Sequence, residues 1–502
     1  MNRRIRPSNL EAAVDVCIVG GGPAGAVLAI RLRQMGYSVC LIERSAFPRR
    51  TLGESTSGAM LGVLDHIGVG DQVRSRGGVA MRGAIVRWAG RTLQSQADDP
   101  NAGLVVDRGQ FDSVLADVAR DTGARVLQPA ECVQARRAPD GGLGWRISVR
   151  SDGGQQCFDT RLLAVATGRR LWLRGATMRQ SPTTVALYAY WPGGDGWAAQ
   201  SYVEAGKAAW YWAAPLPDGG VNVAVFVDPD DATLRKAPSL RRAYLDLIGR
   251  SSLLSGRLTS GPMIDVRACD ASAATVDPLI DDRSIRVGDA AFRVDPLSSQ
   301  GLLHAMTSAM RAAIVINTSL DRPEYACHAK AFYADSRQTV IERDRRISAA
   351  YYADQYALTP TTFWRRRRSL AEPTASTPTR APGRLSLHAP LRLADDISVR
   401  STPVVEGNYI TTRPAIEHPR LERPMAYYQD ILVVELLAYL QRPQTGAEIL
   451  DAWSNRFSPK TAAKLLEGMW AKGVIVASEF GPISGETSGQ RRSERGQCRP
   501  IP

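Results

Sequence analysis

Lysine is scarce in this 502-residue chain, and none occurs before Lys207. The chain is nevertheless basic: 63 lysines and arginines against 50 acidic residues give a formal net charge of +13, and almost all of the excess is arginine. An arginine-rich surface favours an acidic partner. Because a guanidinium stays protonated above a pH of about 12, chemistry that needs a lysine ammonium as proton donor has no candidate in the first 206 residues.

Patterns of metal ligands and of disulfides are also missing. The seven cysteines are scattered and never spaced Cys-x-x-Cys, and no two of the five histidines stand three or four residues apart. We therefore expect no metal site, no disulfide framework and a cytoplasmic location. No apolar run reaches the roughly 18 residues that a membrane-spanning helix needs, so no membrane association is expected.

The segment VDVCIVGGGPAGAVLAIRLRQMGYSVCLIERS, residues 14–45, combines three local patterns. A buried strand is predicted over 15–20, a helix over 23–35 and a second strand over 38–43, with a glycine-rich turn after the first strand. This order of strand, turn, helix and strand is typical of a domain that binds a dinucleotide.

The residues of that turn have separate physical roles. Gly20 permits the sharp bend, Gly22 lets the backbone approach a pyrophosphate, and Gly25 lets the helix pack closely on the sheet. The helix N-terminus then points at the phosphates. Glu43 ends the second strand, where a carboxylate can accept hydrogen bonds from ribose hydroxyls. The predicted cofactor-binding residues here are Gly20, Gly22, Pro23, Ala24, Gly25, Glu43 and Arg44.

A second motif lies at 284–316, SIRVGDAAFRVDPLSSQGLLHAMTSAMRAAIVI, where a strand ends in Gly-Asp and a long helix follows. It resembles the second signature of flavoproteins of the aromatic-hydroxylase type. The resemblance implies that the cofactor is FAD, that Asp289 binds its ribityl or pyrophosphate part, and that the helix dipole faces the flavin. The matching residues are Gly288, Asp289, Pro296, Gly301 and Leu302, with Arg108 in the place of a flavin-contacting arginine. Ser299 stands where those hydroxylases often have glycine.

The same resemblance bears on the source of electrons. Single-component hydroxylases carry a short Asp-Gly motif associated with reduced nicotinamide, whereas this chain has Thr167-Gly168. We therefore expect an external electron donor, such as a separate reductase.

A third motif, Trp210-x-Trp212-x-x-Pro215, resembles the signature of flavin-dependent halogenases. Residues 77–90 resemble the strand on which those enzymes carry an essential lysine, but the local candidate here is Arg82. Halogenation therefore loses its main catalytic group. Two interpretations of Trp210 and Trp212 stay open: a wall beside the flavin, or side chains that fill alternate positions of a strand.

We predict an α/β fold class: a Rossmann-type FAD domain of the aromatic-hydroxylase type, an antiparallel β substrate domain, and a small α+β winged-helix-like C-terminal domain. The FAD domain is expected at 11–185 and 275–345, interleaved with 76–104, and the substrate sheet at 186–274. The remaining segments are a helical extension at 346–364, a linker at 365–386, the C-terminal domain at 387–480 and a disordered tail at 481–502. The arginines of 365–368 are interpreted as a solvated cluster before the linker.

The C-terminal segment has three predicted helices, with a capping box from Thr445 to Glu448, and a final strand. Its layout resembles the peptide-recognition elements of systems that modify ribosomally made peptides. An ordinary winged helix that packs or binds DNA is the alternative.

The domain layout as a whole resembles the flavoprotein monooxygenases that hydroxylate a peptidyl tryptophan during maturation of quinohemoprotein amine dehydrogenase. This implies FAD, a flavin C4a-hydroperoxide as oxidant, dihydroxylation of the tryptophan, and as partner a small acidic protein or peptide, the quinone-bearing subunit; nucleic acid is not expected. Glu54 and Arg82 are the candidate catalytic residues, against structural or FAD-side roles. The alternatives are a halogenase or hydroxylase of a free aromatic molecule, an isoprenoid-saturating reductase, and a DNA-binding protein.

Overall fold

The computed structural model describes residues 13–49, 54–76, 78–96, 103–138, 144–194, 197–258, 260–368, 384–421 and 423–478. The chain divides into two compact units. The first comprises Met1–Glu372 and Val405–Thr411, and the second comprises Pro373–Val404 and Thr412–Pro502.

The first unit contains two large sheets and most of the helices. Its strands are β1 Val14–Val19, β2 Val39–Ile42, β3 Glu54–Ser55, β4 Gly78–Ala80, β5 Gly83–Trp88, β6 Arg91–Gln96, β7 Leu104–Val106, β8 Arg125–Leu127, β9 Ala130–Arg137, β10 Trp145–Ser151, β11 Gly154–Val165, β12 Ala176–Arg179, β13 Val185–Trp191, β14 Ser201–Ala205, β15 Trp210–Pro215, β16 Val221–Val227, β17 Arg267–Asp270, β18 Ala274–Asp277, β19 Ser284–Arg286 and β20 Phe292–Arg293. Its helices are α1 Pro23–Gln34, α2 Ala59–His66, α3 Gly70–Arg76, α4 Arg108–Asp121, α5 Ala232–Lys236, α6 Leu240–Ile248, α7 Gly301–Asp321, α8 Ala326–Leu358 and α9 Thr362–Arg368.

The first sheet has the order β8-β2-β1-β11-β10-β9, with β19 also paired to β11. Strand β1 lies between β2 and β11, parallel to both, and β8 and β19 are parallel to their neighbours. All six residues of β1 are buried, as expected for a parallel strand covered on both faces. Helices α1 and α7 bury their apolar residues in the same core. The Rossmann-type fold predicted from the fingerprint is confirmed.

The second sheet has the order β17-β13-β16-β15-β14-β5-β6. It is antiparallel as expected except for one pair, because β5 runs parallel to β14. Alternate residues of β16 face opposite sides: Val223 and Val225 pack with helix α6, whereas Ala224 and Phe226 pack with aromatic residues of the other face. The sheet therefore has one apolar core face and one aromatic face.

Two features beyond this sheet differ from the sequence-based expectations. Helix α8 is continuous over 33 residues, so the predicted boundary at 345 falls inside a helix. The arginines of 365–368 belong to α9, and Arg367 is 1% exposed and forms a 2.7 Å ion pair with Asp228. The interpretation of this run as a solvated cluster is therefore wrong for Arg367. Its burial follows from its neighbours Phe363 and Trp364, which bury their rings in the aromatic core.

The second unit is a small α+β assembly, as predicted. Its elements are β21 Pro390–Leu393, β22 Ser398–Glu406, β23 Tyr409–Glu417, β24 Tyr427–Tyr428, β25 Ile431–Leu432, β26 Gln444–Thr445, β27 Ile475–Ala477, α10 Val433–Leu437, α11 Gly446–Ser454 and α12 Pro459–Ala471; the tip of the β22–β23 hairpin, 405–411, is counted with the first unit. A three-stranded sheet of order β26-β21-β27 accompanies the helices. The capping box between Thr445 and Glu448 is present at the start of α11.

Most of the predicted linker, 369–383, and the predicted tail lie outside the described residues. None of the helices in the described part of the chain has the length and apolar character needed to cross a bilayer.

Candidate active site

A cavity of about 310 Å³ lies in the first unit, where β1 ends and where helices α1 and α7 begin. Gly22, Pro23 and Ala24 line it from the start of α1, and Gly301 and Leu302 line it from the start of α7. Neither helix has a side-chain cap at its N-terminus. Two helix N-termini without side-chain caps therefore point positive dipole ends at one cavity, which is the environment that phosphates and other anionic groups favour.

The glycine-rich turn has the geometry that the fingerprint predicts. Gly20 has a φ of +109°, and a Cβ atom there would lie 2.3 Å from the carbonyl oxygen of Ala166. A Cβ atom on Gly25 would lie 1.9 Å from the carbonyl oxygen of Gly20. A Cβ atom on Gly22, by contrast, would meet only the Arg49 guanidinium at 3.6 Å. Gly20 and Gly25 are therefore required by the fold, whereas Gly22 keeps open the side that faces the cavity.

Glu43 connects the second strand to this turn. Its Oε2 accepts a 2.7 Å hydrogen bond from the Gly21 N–H, and its Oε1 accepts one of 2.9 Å from the Ser45 N–H. Arg49 lies 3.3 Å from the same carboxylate. Glu43, which is 5% exposed and lines the cavity, is therefore held in place by two backbone N–H groups and a guanidinium.

Arginines give the cavity a positive potential. Six of them line it, against three carboxylates; the arginines are Arg44, Arg49, Arg108, Arg169, Arg170 and Arg293, and the carboxylates are Glu43, Glu131 and Asp289. Arg108 and Arg49 both bind the fully buried Asp112, at 3.0 and 3.3 Å, so this carboxylate orients two of the six. An excess of positive charge in a confined space favours a diphosphate.

The second motif places Asp289 in the lining of the same cavity. Gly288 has a φ of +59°, and Asp289 lies in a short 3₁₀ turn after β19, 3.4 Å from the Arg169 guanidinium. Ser299 lies where glycine was expected, and it adopts the left-handed conformation with a φ of +51°. The glycine-like backbone of this loop is thus kept by a serine, at a cost of about 1–2 kcal/mol.

Aromatic side chains form one wall of the cavity. Trp210 and Trp212 project from β15 and Phe226 from β16, and the Trp210 and Phe226 rings stack with centroids 3.6 Å apart. The indole Nε1 of Trp210 is buried and has no hydrogen-bond partner among the described residues. Trp210 and Trp212 fill alternate strand positions and also line the cavity, and their place beside the flavin stays a prediction.

Two buried carboxyl groups lie behind the loop that contains Pro296. Asp344 Oδ2 accepts a 3.0 Å hydrogen bond from the Asp295 N–H, and Asp295 accepts hydrogen bonds from the Tyr352 hydroxyl and the Leu297 N–H. Burial raises the pKa of Asp295 and raises that of Asp344 to about 6. These acids fix a loop that lines the cavity, since Pro296 and Ser299 both contact it.

Cys132 also lines the cavity, and burial raises the pKa of its thiol to about 12. A thiol of that pKa stays protonated at neutral pH and is a poor nucleophile. The described residues contain no cluster of three or more histidines, cysteines and acids arranged to hold a metal ion.

Most of the residues predicted to bind a cofactor meet at this cavity. Those that line it are Gly20, Gly22, Pro23, Ala24, Glu43, Arg44, Arg108, Asp289, Pro296, Gly301 and Leu302. Gly25 and Gly288 stand beside lining residues. Glu54 lies in β3, paired through its backbone with Val106, and its side chain is outside the described part of the structure. Arg82 is exposed and is not a lining residue, and its backbone N–H donates to the Ala199 carbonyl.

Other lining residues were not identified from the sequence, among them Arg49, Glu131, Cys132, Arg169, Arg170, Trp172 and Phe226. In a chain this rich in arginine, no local signal distinguishes Arg49 or Arg169 from the surface arginines. Phe226 could have been found from the sequence of β16, VNVAVFV. Side chains alternate along a strand, so the valines face one side of the sheet and Phe226 faces the other.

The arrangement fits FAD on several independent grounds. The open turn at Gly22 with the N-terminus of α1 suits the pyrophosphate, and Glu43 suits the adenosine ribose. The N-terminus of α7 and Asp289 suit the flavin half, and the unpartnered Trp210 N–H is available to a bound group. FAD bound in this cavity would supply the redox chemistry, and the residues that line the cavity would enclose it.

Comparison with known proteins agrees with this site. The family model described as "FAD binding domain" matches residues 13–322. The tryptophan 2-halogenase of Chondromyces crocatus is 24% identical over 369 residues, which cover 71% of this chain and 70% of that protein. The solved structure of the flavin-dependent halogenase CmlS has a TM-score of 0.78 at 19% identity, over 93% of this chain and 96% of that one, and this likeness shows the fold.

A further solved structure is that of a "peptidyl tryptophan dihydroxylase QhpG essential for tryptophylquinone cofactor biogenesis". It is 26% identical, with a TM-score of 0.66, and the match covers 92% of this chain and 99% of that one. The chain belongs to the FAD-binding domain family and is a flavoprotein oxidoreductase with FAD as its cofactor, and it is similar to flavin-dependent halogenases and to QhpG.

Proposed function

We propose that this member of the FAD-binding domain family is a monooxygenase that dihydroxylates a tryptophan in a protein substrate during biogenesis of a tryptophylquinone. The observation that carries the proposal is the likeness to QhpG, which extends over 92% of this chain and therefore includes the second unit as well as the FAD-binding one. The solved halogenase CmlS matches a similar share, 93% of the chain, but at 19% identity against 26% for QhpG, so the sequence identity over that length, and not the coverage, favours QhpG.

The identity of the residue at position 82 supports hydroxylation over halogenation. Residues 77–90, which resemble the segment that carries the halogenase lysine, have Arg82 between β4 and β5, and no lysine precedes Lys207. A guanidinium does not give up its proton at physiological pH and cannot replace an ammonium in delivering hypohalous acid. Oxygen transfer to an electron-rich indole carbon needs no such group.

In the proposed reaction, the chain's own residues bind, orient and exclude water. The start of α1 with Gly22, the carboxylate of Glu43 and the start of α7 hold the cofactor, and Trp210, Trp212 and Phe226 form an apolar wall for the substrate ring. A dry and rigid pocket positions the ring and protects the oxidant from water. Reduced FAD supplies activation of O₂ and transfer of one oxygen atom per turnover.

The balance of each hydroxylation requires an electron donor. An aromatic C–H, one O₂, two electrons and two protons give an aromatic C–OH and one water, and a second turnover gives the dihydroxylated ring. Thr167-Gly168, which lines the cavity in place of an Asp-Gly pair, supports a separate reductase as the source of electrons. The net charge of +13 supports a small acidic protein as substrate, for which salt is expected to weaken association.

The test uses the purified, chemically reduced flavoprotein, O₂ and the cross-linked quinone-bearing subunit of an amine dehydrogenase. Intact-mass measurement of the subunit is expected to show a gain of one and then two oxygen atoms, which peptide mapping places on a tryptophan. An unchanged subunit mass under conditions where the reduced flavin is reoxidised overturns the proposal.

A second candidate function is halogenation or hydroxylation of a free aromatic molecule, which the Trp210-x-Trp212 motif favours. The same reduced enzyme, given free indole with bromide or chloride, distinguishes it. Halogen incorporated into indole, with no change in the protein substrate, supports this second candidate.

We also propose Glu54 and Arg82 as the polar groups for the reaction; Arg82 is exposed and does not line the cavity. The variants Glu54→Gln and Arg82→Gln test them. If either residue acts on the substrate, its variant lowers the yield of hydroxylated subunit while the FAD content per protein stays unchanged.

A further inference from the structure

A row of paired residues on the aromatic face of the second sheet runs from the FAD cavity to the edge of the sheet. Trp212 of β15 lines the cavity and pairs with Val203 of β14. Val203 pairs with Val86 of β5, which in turn pairs with Leu93 of β6, the last strand of the sheet. Because residues directly opposite each other lie on the same face of a sheet, these four side chains form one apolar row.

The residues of this row become more exposed with distance from the cavity. Trp212 is 8% exposed, and Val203 and Val86 are partly buried in the same apolar cluster. Leu93, at the end of the row, is 63% exposed. The face that forms one wall of the FAD cavity therefore continues to the protein surface at Leu93.

Helix α8 packs beside the turn that joins β5 to β6. Trp88, two residues after Val86 on the same face, donates a 2.8 Å hydrogen bond from its Nε1 to the Tyr351 carbonyl, and the two rings meet edge to face with centroids 6.4 Å apart. A Cβ atom on Gly90, in the turn itself, would lie 3.4 Å from the Leu358 side chain. These contacts place one side of α8 next to the exposed end of the row.

That side of α8 presents large apolar side chains to solvent. Ile347 is 41% exposed, Tyr351 is 49% exposed and Leu358 is 58% exposed. Spacings of four and seven residues put all three on one stripe of the helix. Together with Leu93 they form an apolar surface, which we call the edge surface. Single exposed apolar residues are common in soluble proteins, whereas a group of them rimmed by polar residues marks a binding site.

The charges around the edge surface are mostly positive. Arg91 lies two residues before Leu93 on β6 and therefore on the same face, and Arg343 lies one helical turn before Ile347. Both arginines are exposed. Asp354 is the one acid within the α8 part of this surface. Two arginines against one aspartate, in a chain of net charge +13, favour an acidic partner.

We propose that the edge surface is the docking site of the acidic protein substrate. A cavity of about 310 Å³ that also receives FAD cannot enclose a protein, so most of the substrate has to rest on the surface outside it. The apolar side chains provide the water-excluding centre of such an interface, and the arginines steer the acidic partner onto it. This inference rests on the proposed function and assigns a surface to its partner.

The experiment measures binding of the cross-linked quinone-bearing subunit to the FAD-loaded protein by titration calorimetry. Leu93→Glu and Leu358→Glu each remove an exposed apolar group and add a negative charge. Each is expected to raise the dissociation constant about tenfold, with FAD content unchanged. The matched control is Met178→Glu, because Met178 is 50% exposed on β12, outside the second sheet. It makes the same change of charge and should leave binding unaltered.

A photo-crosslinker at the same position identifies what covers the edge surface. Leu93→p-benzoylphenylalanine, illuminated with the subunit present, is expected to give a covalent adduct that contains a peptide of the subunit. Adducts formed only with the second unit of the same chain, or only with a second copy of this chain, overturn the proposal, because the protein then covers this surface itself.

The outcomes separate this inference from the proposed function. If both glutamate variants bind the subunit as wild type does, or if Met178→Glu weakens binding equally, the docking role is overturned, while hydroxylation of the subunit would still support the proposed function. A fall in the FAD content of both glutamate variants also overturns the docking role, because the substitutions then act on the cavity. If wild type neither binds nor modifies the subunit, both proposals fall.

Discussion

Asp344 Oδ2 accepts a 3.0 Å hydrogen bond from the backbone N–H of Asp295. Asp295 directly precedes Pro296, which lines the FAD cavity. The contact spans 49 residues of sequence and joins helix α8 to the loop that precedes α7. The Ser298 hydroxyl donates to the carbonyl oxygen of the same Asp295, at 2.8 Å. A single buried carboxyl group therefore holds the loop against which the flavin half of the cofactor is proposed to lie.

This relationship predicts a pH-dependent stability. Burial raises the pKa of Asp344 from 3.8 to about 6, so its contribution to folding is fully present below a pH of about 4 and is lost as the pH rises through about 6. Asp344→Asn removes the ionisation and keeps an acceptor. The free energy of unfolding of the variant should exceed that of wild type by a difference that grows to about 3 kcal/mol as the pH rises from about 4 to about 6. Denaturant unfolding measures this difference. Asp335→Asn, on the exposed side of the same helix, is the control and should show no such gain.

Two glycines of the fingerprint should respond differently to the same substitution. Gly25→Ala places a Cβ atom against the Gly20 carbonyl oxygen, so we expect destabilisation by about 1–3 kcal/mol together with loss of FAD. Gly22→Ala places its Cβ atom in open space beside Arg49, so the stability of the FAD-free protein should change little while FAD affinity falls. Unfolding and FAD titration of both apoproteins check this. Equal destabilisation by both variants would contradict the assignment of Gly22 to the pyrophosphate.

The charge of Glu43 should matter for the cofactor more than for the fold. Glu43→Gln keeps an acceptor for the Gly21 N–H but loses the charge that a ribose hydroxyl would meet. We expect the dissociation constant of FAD to rise about tenfold, since a hydrogen bond to a charged group is worth about 1.5–3 kcal/mol and part of it survives. Asp159→Asn breaks an exposed ion pair with Arg146 and serves as the control, with unchanged FAD affinity. An unaltered affinity in Glu43→Gln would place the ribose elsewhere.

The local patterns of the sequence predicted the strand and helix around the glycine-rich turn well. The predicted strand at 15–20 and helix at 23–35 are observed as Val14–Val19 and Pro23–Gln34, because glycine turns, apolar periodicity and a helix-starting proline are all encoded within a few residues. The capping box at Thr445 was visible for the same reason.

The features that sequence reasoning missed depend on contacts between distant segments. Burial of Arg367 requires Asp228, which lies 139 residues away, and the pKa of Asp344 is raised chiefly by a burial that only the packed fold provides. The parallel pairing of β5 with β14 likewise has no local signal. Asn222 was visible as the one polar residue in VNVAVFV, but its lack of a partner could only be seen once its neighbours were placed.

The ion pair between Arg367 and Asp228 provides a test of how burial sets the strength of a charge pair. Arg367 donates to Asp228 Oδ1, Thr184 Oγ1 and the Phe363 carbonyl, and its guanidinium stacks 3.7 Å from the Phe363 ring. Asp228→Asn leaves a buried cation without its counter-charge, so we expect a loss of about 3–5 kcal/mol in the free energy of unfolding.

The neighbouring Arg366 supplies the comparison, because it pairs with the same carboxylate at 3.5 Å but is half exposed. Arg366→Met should lower the free energy of unfolding by less than about 1 kcal/mol. The double variant Arg367→Met with Asp228→Asn should regain most of the loss, since it removes both buried charges together. Denaturant unfolding of the three variants measures these energies. If Asp228→Asn costs no more than Arg366→Met, the buried guanidinium is stabilised by its neutral acceptors and the aromatic ring rather than by Asp228.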